Sequence, residues 1–489
     1  MDIATVINYL NKKLGYELTS EYYTHIHEWE CWWRGYFKPF HEFTELNGKK
    51  TITRDMYTLK MAKKVCEDWA SLLLNDKTQI VITHNASSEF VQGKDSTGGV
   101  FGDNDFWVRG NELVERAFMS GTGAFVLRIE NMSVANDKII KDKESKIRIE
   151  CLQANHIIPL TIKQRKIIDV AFVSEVLQKG EKFIYIETHI LKDGEYQITN
   201  SYFKEEEGTL MEQPLPEGII ESFSTGSDIP MFAIVAPNIV NNIDSTVGLG
   251  ISIFADAIDN LKGVDLAYNN FNRDLKLGGK KVFLSAQLTQ TDENGNTLTP
   301  DDVAQQLFIQ VTEDNMNENG TSKQIFEYNP SLRVGENKDG IQAQLDYLSF
   351  KVGFGTKHYQ FNAGSIVTAT QYMGDKQELV QNANKHYISI ERSLKGLVRG
   401  ILWIGKEVLG NDVNPDAQVT INFEDSYIID KEAERMRDLQ EISAGIKQRW
   451  EYRVKWYGED EETAKKMTGY TSDDQLLDFG SEEDDEAEE

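Results

Sequence analysis

Residues 252–277 read Ser252-Ile253-Phe254-Ala255-Asp256-Ala257-Ile258-Asp259-Asn260-Leu261-Lys262-Gly263-Val264-Asp265-Leu266-Ala267-Tyr268-Asn269-Asn270-Phe271-Asn272-Arg273-Asp274-Leu275-Lys276-Leu277. Phe254, Ile258, Leu261, Val264, Tyr268, Phe271 and Leu275 recur at steps of three and four, the period of an amphipathic helix. The opposite stripe, Asp256, Asn260, Gly263, Ala267, Asn270 and Asp274, is small, polar or acidic throughout. A helix with one greasy face and one small polar face suits a position between packed neighbours and water.

Upstream, the pattern is helix and then strand. Residues 2–14 place Ile3, Val6, Ile7 and Leu10 on one helical face, and Tyr57–Asn75 repeats Leu59, Ala62, Val65, Trp69 and Leu72 at helical spacing. The aromatic run Trp29–Phe37 reads as core or interface anchors. Residues 86–104 read as a polar loop and Asp105–Met119 as a helix. From about 124 to 235 short β-type runs alternate with turns, including the hairpin signal Lys192-Asp193-Gly194-Glu195, so this region is expected to be mostly antiparallel. Downstream, strands are expected at Val282–Leu284, Phe308–Val311 and Ile325–Tyr328, with a helix resuming around Ile341. A Gly-flanked loop, 353–364, leads into a long periodic stretch from about Val367 to Val408, about 60 Å if unbroken, with a kink expected at Gly374. A strand at Val419–Phe423 and helices at 431–446, 449–457 and 461–467 follow. The fold class is α+β.

The chain has 489 residues, room for two to four domains, and a net charge of −27. From Glu459 to Glu489 there are fourteen acidic residues and two lysines, so about −12 of that charge lies in the last stretch and about −15 elsewhere. Such a tail is expected to be disordered. The acidity argues against a tight, general nucleic-acid binder. No apolar run is long enough to span a bilayer, and Met1–Val6 has no signal-peptide character. Cys31, Cys66 and Cys151 form no C-x-x-C pair, so neither a disulfide framework nor a structural zinc site is expected.

Catalytic and cofactor motifs are weak. Gly248-Leu249-Gly250 begins a dinucleotide fingerprint, but Ile253 stands at the third glycine position. Gly353-x-Gly355-Thr356-Lys357 lacks the phosphate-loop spacing, and Asp292–Asn296 has its glycine at the wrong position for a calcium loop. No cofactor, metal site or catalytic constellation is expected. Two basic clusters stand out: Arg273, Lys276, Lys280 and Lys281 at the end of the polar-striped helix, and Lys351, Lys357 and His358 around the Gly-rich loop.

Several segments, in order, resemble the portal proteins of tailed bacteriophages, siphovirus type. Thr58–Asp76 resembles the family's early helix. Gly248–Phe254 with Leu261–Tyr268 resembles its first stem helix, and Ser365-Ile366-Val367-Thr368-Ala369-Thr370-Gln371 its T-A-T-E segment, with Gln371 in place of the usual Glu. The Trp29–Gly35 block resembles the family's start. The resemblance implies a homo-oligomeric ring of about twelve subunits with closed symmetry at one capsid vertex. It implies a wing over 1–247, stem helices over 248–277 and 338–352, a clip over 278–337 and a tunnel loop over 353–366. A long kinked helix returning to the wing would span 367–424, a crown 425–471, and an acidic tail 472–489. DNA would pass the channel non-specifically. Terminase, major capsid or scaffold proteins and a head–tail adaptor would dock on the ring, and no membrane would be involved. On this resemblance Lys357, His358, Gln360 and Asn362 are expected to reach DNA from the tunnel loop. Asp256, Asn260, Asn270 and Asp274 are expected to face the channel, and Arg273, Lys276, Lys280 and Lys281 to touch DNA or a docking partner. The protein would be made in the host cytoplasm and reside in the virion. Two competing readings are a polysaccharide-active hydrolase with an aromatic platform at Trp29–Phe37 and a carboxylate pair, and a different ring-forming head–tail connector.

Overall fold

A computed structural model describes residues 2–47, 50–94, 98–178, 180–206, 208–285, 308–311, 317–318, 321–322, 325–361, 369–423 and 431–469. Two compact units result, one from residues 1–363 and 377–423 and the other from 364–376 and 424–489.

The helices are α1 (Ile3–Leu14), α2 (Tyr22–Arg34), α3 (Lys38–His41), α4 (Met61–Leu73), α5 (Asn85–Gln92), α6 (Gly99–Asp103), α7 (Phe106–Ser120), α8 (Ile258–Leu277), α9 (Val334–Lys351) and α10 (Ala369–Glu407), followed by α11 (Lys431–Ser443), α12 (Arg449–Tyr457) and α13 (Glu461–Thr468). The α+β expectation holds. Several boundaries differ for local reasons. The helix expected from Tyr57 begins only at Met61, because Lys60 takes the left-handed conformation (φ 55°) and Tyr57–Leu59 run extended onto another element. Residues 86–104 are not a loop but contain α5 and α6; His84 caps α5 by accepting from the Ser87 amide. α10 is continuous through Gly374. Unpredicted elements are the hairpin Glu42–Asn47 with Lys50–Asp55 and the strand Gln79–Ile82, which pairs with Val419–Asn422 from more than 300 residues away. Asp292–Asn296 and the acidic tail lie outside the described residues.

The β region is mostly antiparallel as expected, with one parallel pairing, Ser222–Ser224 beside Lys138–Ile139. Ile157–Lys163, Lys166–Gln178, Glu181–Lys192 and Glu195–Glu206 form a meander within a larger sheet, closed at 192–195 by the Asp-Gly turn. A second sheet sets Gly123–Glu130 between Lys146–Gln153 and Phe232–Val235. Trp32, Trp69, Phe118, Phe125, Phe172, Phe203 and Phe254 are fully buried in one continuous core. Trp29 and Trp32 are 3% and 2% exposed, so the two tryptophans are withdrawn from the surface, and of the run's aromatics Tyr36 alone is exposed. Trp32 is spent on packing: it lies against Phe37, Phe40 and His41.

A charged cluster is buried in this β region. Glu187 is 4% exposed, with the Arg128 Nε 2.9 Å from one oxygen and His189 Nε2 2.6 Å from the other. Burial pushes its carboxyl up, but the charge of Arg128 and the hydrogen bond from His189 outweigh it and bring it down to about 2. A carboxylate whose pKa is depressed on folding stabilises the fold above its ordinary value, near 4.5, and that stabilisation is lost as pH falls toward 2. The expected acid-unfolding profile therefore loses on the order of 3 kcal/mol over that window. In Glu187→Gln, the neutral-pH stability falls and the slope between pH 4.5 and 2 flattens, as read by urea titrations at stepped pH.

The described part of the second unit comprises residues 369–376, the start of α10, with α11, α12 and α13. Asp438 of α11 is 4% exposed and ties α11 to α12, receiving Lys447 Nζ at 2.8 Å, Lys455 Nζ at 2.9 Å and Trp456 Nε1 at 2.7 Å.

Candidate nucleic-acid interface

α8 and α9 pack as an antiparallel pair. Gly263 of α8 lies under Gln344 of α9, so close that a Cβ there would sit 2.4 Å from the Gln344 Oε1. At the other end, Asp274 accepts two bonds from Arg333 Nη2, at 3.1 and 2.8 Å, and one from Asn337 Nδ2 at 2.9 Å. The hydrogen bond from Asn337, with Arg333 beside it, holds the Asp274 carboxyl below its usual range. The small polar stripe is thus divided. Gly263 and Asp274 meet α9 of the same chain, Asn260 is half-buried, and Asp256 and Asn270 are exposed, with Asn242 donating to Asp256 at 2.9 Å. Small residues on this face permit the close helix–helix approach, a packing reason that periodicity alone does not separate from a channel-facing one.

The buried face of α8 is also rotated from the apolar stripe. Leu261 and Val264 are buried as expected, but the next buried positions are Asp265 and Asn269, while Leu275 is 43% exposed. Asp265 is a hub: Leu59 N–H donates to it at 2.7 Å, Thr58 Oγ1 at 3.0 Å and His41 Nε2 at 3.1 Å. The Phe37 N–H points onto His41 Nδ1 at 2.8 Å, so the imidazole proton sits on Nε2 and faces the carboxylate. One turn on, Asn269 Oδ1 accepts from the Tyr57 amide at 3.2 Å. Sequence reasoning missed this anchor. Its one trace is a polar pair at i and i+4, Asp265 and Asn269, aligned with Leu261.

Two of the four basic residues at the end of α8 are paired. Arg273 is bound to Glu45 of the Glu42–Asn47 strand at 2.7 Å, with Phe43 beneath its guanidinium. Lys280 pairs with Glu327 at 2.7 Å across the sheet formed by Lys281–Ser285 and Ile325–Tyr328. Lys276 is exposed in the last turn of α8, and Lys281 is half-buried in its strand.

The loop after α9 is folded back on the core. Gly353 (φ 88°) and Gly355 (φ 78°) make the turn, with Lys357 itself at φ 70°. Trp69 Nε1 donates to the Val352 carbonyl at 3.1 Å and Asn382 Nδ2 to that of Gly353 at 2.9 Å. Phe354 stacks on Trp69 at 4.6 Å, and His358 stacks on Phe354 at 4.3 Å with its Nε2 3.8 Å from Asp68 Oδ2. His358, expected to project outward, is therefore turned inward, because the glycine turns lay its ring along the Trp69–Phe354 stack. Lys357 and Gln360 are exposed, and Asn362 lies outside the described residues. Gln371 lies on α10 at a position whose side chain is not described.

Gly248-Leu249-Gly250 is no phosphate cradle. Tyr22 OH donates to the Gly250 carbonyl at 2.7 Å, the Gly250 amide donates to Thr122 Oγ1 at 2.9 Å, and Gly250 crosses the backbone of Gly121. The glycines allow two chain segments to touch. Among the described residues no group of three or more His, Cys, Asp or Glu is placed to hold a metal ion, and no helix is long and apolar enough to cross a membrane.

No curated protein matches this chain. The family described as phage portal protein, SPP1 Gp6-like, matches residues 6–448, which takes in every helix from α2 to α11 together with both sheets of the β region. That match spans most of the 489 residues. The chain belongs to the phage portal protein family.

Proposed function

We propose that copies of this chain assemble into a closed ring of about twelve subunits at one capsid vertex, through which double-stranded DNA enters during packaging and leaves during ejection. The observation that carries this reading is the antiparallel α8–α9 pair with a strand insert between its far ends, inside a chain that matches the portal family over residues 6–448. In it, α8 and α9 are the stem, the strands between 281 and 328 the clip, 353–366 the tunnel loop, and α11–α13 the crown. Terminase and a head–tail adaptor dock on the ring, and ATP hydrolysis belongs to the terminase.

DNA must slide through such a ring. Each phosphate a lysine neutralises adds salt-dependent affinity, and ring symmetry multiplies every basic side chain by the subunit number. Pairing of Arg273 and Lys280 with Glu45 and Glu327 removes part of that attraction. The exposed Asp256 and Asn270 supply a surface that does not hold phosphate. Lys357 and Gln360 remain as exposed contacts on the loop.

Rings with a central hole in negative-stain images, and a tagged copy confined to one vertex of the head, are the expected results. A tag dispersed over the capsid surface overturns the reading. Within it, Lys357→Ala combined with Gln360→Ala is expected to lower the yield of heads holding full-length DNA several-fold at unchanged ring yield. Normal packaging by that variant removes the loop side chains from the mechanism.

A further inference from the structure

A cavity of about 550 Å³ opens between the two sheets of the β region, apart in sequence from the elements assigned to stem, clip, tunnel loop and crown. That volume lies in the range of small-molecule sites. Its walls include Arg128, Glu150, Ser174, Tyr185, Glu187 and Tyr202, and residues 216–220 line one side. Five carboxylates line it, Glu130, Glu150, Glu175, Glu187 and Glu217, against the single guanidinium of Arg128. Glu130 and Glu175 are drawn to Arg148 at 3.0 Å and Lys182 at 3.2 Å. Of the other three, Glu150 and Glu187 share Arg128, which lies over the Tyr185 ring at 5.1 Å, and Glu217 is exposed at the rim.

A second, independent feature points to a ligand. Tyr202 is 5% exposed, and its hydroxyl finds no hydrogen-bond partner among the described residues; the same holds for Ser174 Oγ and, as a donor, for Arg128 Nη2, whose charge the Glu150 and Glu187 carboxylates already neutralise. Buried hydroxyls without partners are costly, and natural proteins keep few of them. Here both sit in the wall of an acidic cavity. A hydroxyl oxygen accepts hydrogen bonds, as carboxylates do. The complementary group is a compact cation with several donors, and an ammonium has three donors and no acceptor.

We infer that this cavity binds a primary alkylammonium group, carried by a free amine or by a lysine side chain of a partner, through Tyr202, Ser174 and the Glu150 carboxylate. The site lies outside the proposed DNA path and does not depend on it.

Calorimetric titration of the full chain tests this with 1,4-diaminobutane and with Nα-acetyl-lysine methylamide, and with 1,4-butanediol as the uncharged isostere. Saturable binding of one amine per chain, at least tenfold tighter than the diol, is expected. A preference for either amine identifies the source. Tyr202→Phe removes only an unpartnered hydroxyl, so its melting temperature is expected to stay the same or rise while the amine binds several-fold more weakly; Glu150→Gln weakens it further. Non-saturating uptake, equal binding of amine and diol, or unchanged affinity in both variants overturns the site: the first is diffuse attraction to a chain of net charge −27, the second shows that the charge is not read, and the third that these residues do not hold the amine.

Discussion

Replacing Asp265 by Ala is expected to cost about 3–5 kcal/mol of stability, because it strips the acceptor from three donors at once, buried His41 and half-buried Thr58 and Leu59. The Leu59 amide, half-buried, donates to Asp265 Oδ1 at 2.7 Å, and a backbone N–H left unpaired away from water bears a desolvation penalty. Thr58 Oγ1 and His41 Nε2 lose their acceptor in the same step. Asp265→Asn keeps the volume but turns an amide NH2 toward at least one of these donors, so a loss of roughly 2–3 kcal/mol is expected. Thr58→Ala, which removes one donor and leaves the rest, is expected to cost about 1 kcal/mol. The order Ala, Asn, Thr58→Ala in urea midpoints, followed by tryptophan fluorescence, is the check. Equal midpoints for Asp265→Ala and wild type would show that the carboxylate carries none of the docking. The consequence reaches beyond stability. Asp265 and Asn269 fasten the middle of α8 to the segment Tyr57–Leu59, so a loosened α8 is expected to lower ring yield as well.

This anchor also shows where the sequence is informative and where it is not. Periodicity marks helices whose buried face is apolar along its whole length. α1, α7 and the later half of α10 were legible for that reason, as was the alternation that predicts the meander from Ile157 to Glu206. Periodicity does not register a buried face completed by hydrogen bonds. On α8 it followed Tyr268, Phe271 and Leu275 and passed over Asp265 and Asn269, because a carboxylate enters the core only when distant donors are already in place. Long-range pairing is invisible for the same reason: Gln79–Ile82 is a strand because Val419–Asn422 lies beside it. The loop residue His358 was legible as a polar side chain on a glycine-flanked loop, but not its direction, which depends on Trp69 and Phe354. The ordered resemblance to portal proteins survived these misplacements, since it rested on segments in sequence rather than on which way their side chains turn.

The largest single-residue effect is expected at Gly121. It closes α7 in the left-handed conformation (φ 81°), and a Cβ built there would lie 2.2 Å from the Gly250 carbonyl oxygen and 2.5 Å from its carbon. Both atoms are backbone, so no rotamer change relieves the contact; the two segments must separate. The cost of a left-handed Ala alone is roughly 1–2 kcal/mol. Separating the segments also breaks the Gly250 amide bond to Thr122 and the Tyr22 bond to the Gly250 carbonyl, and shifts Ile253, whose amide donates to Phe118. Gly121→Ala is therefore expected to lose more than about 4 kcal/mol and to accumulate as insoluble chain. Two companions separate the causes. Gly15→Ala has a similar φ of 73° with nothing within 4 Å, so it measures the conformational cost alone, about 1 kcal/mol. Gly250→Ala has no left-handed backbone but meets the Gly121 carbonyl oxygen at 2.4 Å, so it measures the steric cost. The expected ranking in soluble yield and urea midpoint is Gly15→Ala mildest, Gly250→Ala severe and Gly121→Ala worst. If Gly121→Ala matched Gly15→Ala, the crossing would be soft. It would then not hold the segment Gly248–Phe254, from which α8 departs, against the end of α7. A hard crossing means that the root of the proposed stem is positioned by two glycines in contact. On that account Gly248-Leu249-Gly250 serves packing between two segments of this chain and is not the remnant of a nucleotide site.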